Sequence, residues 1–364
     1  MPPVSSISPA RTVLQSGSGP VTGRHYLPSR PDEVQWGWLP NAATAPVVEL
    51  DSGDTITIDT VSHEGILEDQ GRDPVRFLAE FGVREDEVLD DMIAIAETGP
   101  SHDIDDGPHV VTGPIAVNQA RAGDVLRIDV VELTQRAPYG FISMRHGFGA
   151  LPDELPAEGM MFSHFCEVDP SGSVGRIAVA QRFLQFPLAP FLGLMGVARN
   201  TGDRVPSVPP GDHGGNMDVK HAVAGSTVFL PVQVDGASFY VGDPHFAQGN
   251  GEVALTALEA PLRATLRLTV LRGDERTHAI GPLTSPMIET SSHWIPTGMD
   301  VDLDEAMRKA VRNAVALLRQ RFDIPEPVVL AYLSAAADFE VSQVVDAVKG
   351  VHCMIAKRDF AAWF

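Results

Sequence analysis

Basic charge is what this sequence has least of: 27 Lys and Arg stand against 48 Asp and Glu, a net charge of −21 over 364 residues. A phosphate backbone is bound by displacing its counterions with a basic face, so the balance excludes nucleic acid as a partner. It also disfavours an anionic membrane surface and points to a small neutral or cationic substrate, or one screened inside a pocket. Cysteine is nearly absent. Cys166 and Cys353 rule out a cysteine-built zinc scaffold and fit a reducing compartment. No apolar run nears the roughly 18 residues that span a bilayer. The Pro-, Ser- and Gly-rich start has no signal-peptide core either, so a cytoplasmic protein is expected.

The standard nucleophile and phosphate devices are missing as well. There is no Gly-x-Ser-x-Gly elbow, no Gly-Ser-Ser-rich segment, no Gly-x-x-x-x-Gly-Lys loop and no Gly-x-Gly-x-x-Gly turn opening a helix. Cys166 stands in His164-Phe-Cys166-Glu167, the one sequence on which a cysteine amidase could rest. A lone Cys beside a His is as a rule a small buried hydrophobe.

What is present is turn chemistry. With 33 Gly and 29 Pro spread along the chain, helices must be few until the end, and brief apolar runs between turns read as strands. Thr55 to Asp59, Leu126 to Val130 and Leu262 to Leu271 alternate with period two, the last with Leu262, Ala264, Leu266, Leu268 and Val270 on one face. Gly53-Asp54, Gly123-Asp124 and Gly225-Ser226 enter three strands in near-copies of one pattern. Arg76 to Glu97 carries one or two short helices. Asp302 with Glu305 opens a helix bearing Met307, Val311, Val315, Leu318 and Phe322, ended by Pro325 and Pro327. Helical segments are expected near Val328 to Leu333 and Val341 to Val348, and a strand over Val351 to Ala356. The fold class is mainly β (α+β): a β-sandwich or barrel-like core with a small C-terminal α/β unit. Residues 1–24 form a flexible arm, 25–285 the β-rich catalytic core, and 286–364 the C-terminal unit packed on it.

Two glycine-rich loops concentrate oxygen and imidazole ligands. In Gly242-Asp243-Pro-His245-Phe246-Ala-Gln248-Gly249-Asn250-Gly251-Glu252, Asp243 and His245 are two apart and share one side of an extended backbone. The glycines let the chain return Glu252 toward them. Such a set suits a divalent first-row metal, with a carboxylate to spare for proton transfer. Gly211-Asp212-His213-Gly-Gly-Asn216-Met-Asp218 is the second loop. Thr227 to Val232 and Ser238 to Val241, joined through Asp235-Gly236, read as a hairpin-like connection that brings both loops to one end of a sheet. His109, after the acidic stretch from Asp103, is a secondary candidate.

In these segments the chain resembles the acetamidase/formamidase family. The stretches that carry the resemblance are Thr112-Gly-Pro-Ile-Ala-Val117 with Ala122-Gly-Asp-Val-Leu126, His213-Gly-Gly-Asn-Met-Asp218, Leu230-Pro-Val-Gln-Val234 with Gly236-Ala237, Gly242-Asp-Pro-His245 with Gln248-Gly and Gly251-Glu252, and Pro286-Met-Ile-Glu289-Thr290. The family usually has Asp where Asn250 stands and commonly Ala where Phe246 stands, which bears on the substrate pocket. The resemblance implies a mostly β homo-oligomer that binds a divalent metal and hydrolyses short aliphatic amides to carboxylate and ammonia. The metal would be zinc, with calcium as the alternative. The chemistry then expects Asp218, Asp243 and His245 to hold the metal and Glu252 to move the proton. Glu252 as a fourth ligand is the other assignment. Asn216, Gln248 and Phe246 would contact the amide, with His109, His213 and Glu289 in a supporting tier. The rival class is a non-catalytic β-sandwich that binds a metal or a small ligand.

Overall fold

The computed structural model describes residues 11–273, 280 and 283–363. Two sheets enclose one apolar layer. In spatial order the first sheet runs His25–Leu27, Thr55–Asp59, Leu262–Leu271, Val125–Gln135, Thr227–Pro231, Met287–Glu289, His293–Asp300, Lys349–Ala356 and Asp338–Gln343. The second runs Arg182–Pro187, Val174–Val179, Met161–Val168, Tyr139–Arg145, Leu258–Glu259, Phe239–Ala247, Phe191–Val197 and Gly214–Asn216. Val110–Val117 also pairs with Phe239–Ala247 and carries two short strands of its own.

Period-two alternation builds the layer between them. Ile56, Ile58, Ile128, Val228, Leu230 and all five apolar residues expected on one face of Leu262–Leu271 meet Ile115, Val117, Val197, Val241 and Phe246 of the second sheet. Each such side chain, fully buried, contributes about 1.5–3 kcal/mol. The mainly β class with a β-sandwich core is therefore what the chain folds into, and the three near-copy strands all lie in the first sheet.

Several local expectations are corrected. Thr227–Pro231 and Phe239–Ala247 are not a hairpin. They belong to different sheets, because the link between them passes through three successive positive φ values at Gly236, Ala237 and Ser238. The helix expected over Val341 to Val348 is replaced by the strand Asp338–Gln343, which pairs with Lys349–Ala356. The helix Leu303–Phe322 forms, with the Asp302 side chain accepting from the Glu305 N–H at 2.9 Å. Its buried stripe is Ala306, Ala310, Ala314, Leu317 and Leu318, one step round from the larger residues expected. Small residues face the sheet because the helix lies against Gly298, where a Cβ would stand 2.2 Å from the Ala310 nitrogen. The strands of 286–364 lie in the first sheet.

Of the expected flexible arm, residues 1–10 fall outside the described residues. Residues 11–23 are tied down: Leu14 N–H bonds to the Arg136 carbonyl, the Gln15 side chain to the Val88 carbonyl, and the Arg263 guanidinium to the Ser18 carbonyl. Among the described residues no helix is long and apolar enough to cross a membrane.

Candidate active site

On the face of the second sheet turned away from the core, five buried carboxylates gather around His245: Asp218, Asp243, Glu252, Glu259 and Asp346. The backbone conformation that places them is unusual. Asp218, Asp243 and Glu252 all adopt left-handed φ, at 49°, 51° and 46°. Such conformations cost about 1–3 kcal/mol each in non-glycine residues and collect at functional sites. At Asp243 the effect is local and direct. It shifts the strand's alternation by one residue, so Val241 and Phe246 enter the core while Asp243 and His245 turn the other way.

The atoms converge without pairing. His245 Nε2 lies 3.0 Å from both Asp243 and Glu259, and Nδ1 3.9 Å from Asp218. Neither ring nitrogen is aligned for a hydrogen bond. Both Asp218 carboxylate oxygens, Asp243 Oδ1, Glu252 Oε2, Glu259 Oε2 and Asp346 Oδ2 are likewise buried with no hydrogen-bond partner. Leaving so many buried polar atoms unsatisfied is expensive unless something of opposite charge satisfies them together. The donor set of carboxylates and imidazole fits a divalent cation. Gly193 floors the cluster. A Cβ there would sit 2.3 Å from Asp218 Oδ1, 2.6 Å from Asp243 Oδ2 and 2.7 Å from the His245 ring.

Electrostatics agree with that reading. Burial, then the charges of its carboxylate neighbours, pushes Asp218 well above the usual carboxylate range, and Glu252 follows for the same reasons. Burial lifts Asp346 to about 8 and Glu259 to about 6. Asp243 goes the other way, because His245, His109 and His63 together outweigh its burial. Burial favours neutral His245, yet Asp243 and Glu259 outweigh it and raise the imidazole.

A histidine pair borders the cluster. His63 Nδ1 lies 3.8 Å from Asp243 and 4.0 Å from Glu259, and its Nε2 3.5 Å from Glu64. Glu64 accepts from Gln70 and Ser143, each at 2.6 Å, and is held down to about 2 by His63 and Arg145 against its burial. His109 Nε2 approaches Asp243 to 3.7 Å while Nδ1 meets the Ser207 hydroxyl at 2.9 Å; burial lowers this imidazole to about 4.

Of the residues expected from sequence, Asp218, Asp243, His245, Glu252 and His109 are brought together. Asn216 is buried with its Oδ1 unpartnered, and Gln248 donates to the Asp218 and Ser342 carbonyls while its Oε1 stays free. Three are not brought in. Phe246 is packed in the central core, on the opposite side of its strand from His245. His213 lies against Gly211 and Gly215 and joins none of the ligand groups found among the described residues. Glu289 is on the first sheet, where Lys357 at 2.6 Å and the Trp294 indole at 3.1 Å take its carboxylate. Sequence reading missed His63, Glu64, Glu259 and Asp346. Glu259 had a signal, as a lone carboxylate within the apolar run Ala257 to Leu262. Asp346 had none, since only the pairing of the last two strands delivers it. Cys166 is fully buried and burial raises its thiol to about 11, which removes the thiolate a cysteine nucleophile needs.

The acetamidase/formamidase family model matches residues 83–202 and 200–357. A formamidase of Methylophilus methylotrophus is 26% identical over 298 residues, covering 65% of this chain and 73% of that protein. An acetamidase of Mycolicibacterium smegmatis is 32% identical over 145 residues, 35% of each. The crystal structure of an acetamidase from Bacillus halodurans superposes with a TM-score of 0.72 at 25% identity, covering 93% of this chain and 99% of that one. An acetamidase from Yersinia enterocolitica shares the fold with a TM-score of 0.74 at 24% identity, over 96% of each chain.

Proposed function

Because this chain belongs to the acetamidase/formamidase family, we propose that it hydrolyses short linear amides to a carboxylate and ammonia at the carboxylate–histidine cluster, which holds a divalent cation, zinc first and calcium as the alternative. The observation that carries the reading is the convergence of unpartnered oxygens and imidazole nitrogens from Asp218, Asp243 and His245 beside a free Glu252 carboxylate. When bound, such a cation supplies Lewis acidity, lowering the pKa of water and polarising a carbonyl. The chain's own groups do the rest. Glu252, raised by burial, takes a proton from the attacking water and returns it to the departing nitrogen, because ammonia leaves poorly unless protonated. The free Asn216 Oδ1 and Gln248 Oε1 accept from the substrate's N–H groups. Glu64 holds His63 in place against Asp243 and Glu259.

A cavity of ≈ 20 Å³ lies beside Glu259 and Glu64 under Leu78, Met92 and Phe141. That is room for about one water, and none of Asp218, Asp243, His245 and Glu252 lines it. The test is ammonia release from formamide, acetamide and propionamide before and after chelation. Turnover should vanish with chelator and return with zinc, and the three kcat/KM values rank the acyl groups. Metal uptake with no ammonia from any of the three would instead make the chain a binding protein.

Protonation gives a second check. In the cation-free chain Glu259 and Asp346 stay protonated below their raised values, so their contribution to stability is lost as pH rises through about 6 and then about 8. His245, also raised, acts in the same direction, and the lowered Asp243 matters only in stronger acid. Cation binding must displace those protons. The rise in Tm on adding zinc should therefore be small at about pH 5 and grow steadily toward about pH 8. A zinc effect independent of pH would argue against a cation held among these carboxylates.

Assembly has its own signal. Among the described residues the strand Arg182–Pro187 ends the second sheet, paired on one side only, and it exposes Phe183 and Leu184, with Val179 exposed on the neighbouring strand. An apolar sheet edge of this kind is suited to a second copy of the chain. Leu184→Arg should reduce the mass measured by light scattering to that of one chain. A wild-type protein already monomeric would remove the expectation.

A further inference from the structure

A second group of ligands stands outside the carboxylate cluster. His221 follows Asp218 by three residues, Glu340 lies on Asp338–Gln343 and His352 faces it from Lys349–Ala356. One ligand atom from each lies within 4.8 Å of the others. His352 Nε2 is 3.5 Å from Glu340, and the His221 and His352 rings meet nearly edge to face at 5.2 Å. His352 is completely buried, and both its Nε2 and that of His221 have no hydrogen-bond partner. On the far side of the ring, His352 Nδ1 meets the Ser342 hydroxyl at 2.8 Å. That contact fixes the ring's orientation and, with the proton on Nδ1, turns a lone pair toward Glu340.

We propose that His221, Glu340 and His352 form a second cation site, for a zinc-class ion, which fastens the loop bearing Glu252 to the C-terminal hairpin. Two imidazoles and one carboxylate are the donors of such an ion and a poor set for calcium or magnesium. Ligand atoms on one tetrahedral ion lie roughly 3.3 Å apart. The His352–Glu340 pair is therefore already near its spacing, and half-buried His221 has only to close in. The Glu340 side chain keeps 33% exposure, which gives the ion an entry path. Lys220, whose charge reaches Glu340 and both rings, makes no ion pair with Glu340 among the described residues.

The fastening follows from contacts already in place. Asn250 donates to the Glu340 carboxylate, the Ser342 carbonyl accepts from Gly251 N–H and the Gln248 amide, and Val344 N–H returns to the Gly251 carbonyl. An ion on Glu340 and His352 holds both strands behind that loop.

The site does not depend on amide chemistry, so it is tested with the carboxylate cluster disabled. In full-length Asp218→Asn/Asp243→Asn protein, dialysed with zinc and analysed by atomic emission, about one equivalent of zinc should remain per chain. Adding His221→Gln or Glu340→Gln should remove it. Ser342→Ala should keep the stoichiometry but weaken zinc about 10–100-fold against a chromophoric chelator. Circular dichroism and Tm establish that each variant is folded. A folded double variant that binds no zinc, or zinc content unmoved by both further substitutions, overturns the proposal. Failure of the carboxylate cluster to bind metal looks different: wild type and double variant would then hold the same zinc.

Discussion

Glu252→Gln should leave the metal content of the protein unchanged while lowering amide turnover by about 10²–10⁴-fold, the usual worth of a positioned acid–base group. Gln keeps the shape of the side chain and removes the ability to take up a proton. The loop will accept it, because Glu252 is placed by backbone bonds: its N–H to the Gly249 carbonyl, and Gly251 N–H to the Ser342 carbonyl. Burial and the neighbouring carboxylates hold Glu252 well above the ordinary range, which suits a group that must take a proton from water. The measurement is kcat for formamide alongside zinc per chain. If zinc leaves with activity, Glu252 is a ligand, and the proton work passes to Asp346 or Glu259, both also raised by burial. That outcome would move one role and leave the cluster standing.

How far the sequence reached depends on what kind of contact each feature needed. Leu262–Leu271 was legible because one strand with period two displays its own inner face. Asp243 and His245 were legible for a related reason, being two apart in a glycine-rich loop, although the left-handed φ at Asp243 decides which face they take. Phe246 shows the limit of that reading, since the residue next to His245 on the strand points into the core. The supposed hairpin at Asp235-Gly236 looked like a tight turn, and only the competition between two sheets for its flanking strands shows otherwise. His63, Glu64 and Asp346 come from segments far from the two loops in sequence. Their roles depend on non-local pairing, and no local pattern carries that.

Gly193→Ala is expected to abolish metal binding at the carboxylate cluster and cut turnover by about 100-fold or more while the protein stays folded. Gly193 lies on Phe191–Val197, and its φ is outside the left-handed region, so alanine suits its backbone. Space is the whole issue. The new methyl would fall 2.3 Å from Asp218 Oδ1, 2.6 Å from Asp243 Oδ2 and 2.7 Å from the His245 ring, all inside van der Waals contact. The Gly193 carbonyl also accepts the N–H groups of Met217 and Asp218, so the strand cannot back away without taking Asp218 along. The side chains must swing apart instead. A displacement of about 1 Å from productive geometry is enough for a loss of about 10²-fold. Gly202→Ala is the control, a glycine also free of left-handed φ and with nothing within 4 Å of its Cβ position. Both variants should retain far-ultraviolet circular dichroism, and only Gly193→Ala should lose the zinc held by Asp218, Asp243 and His245. An active, zinc-loaded Gly193→Ala protein would mean that Asp218, Asp243 and His245 do not converge over that glycine in solution, and the cluster would no longer account for the chemistry.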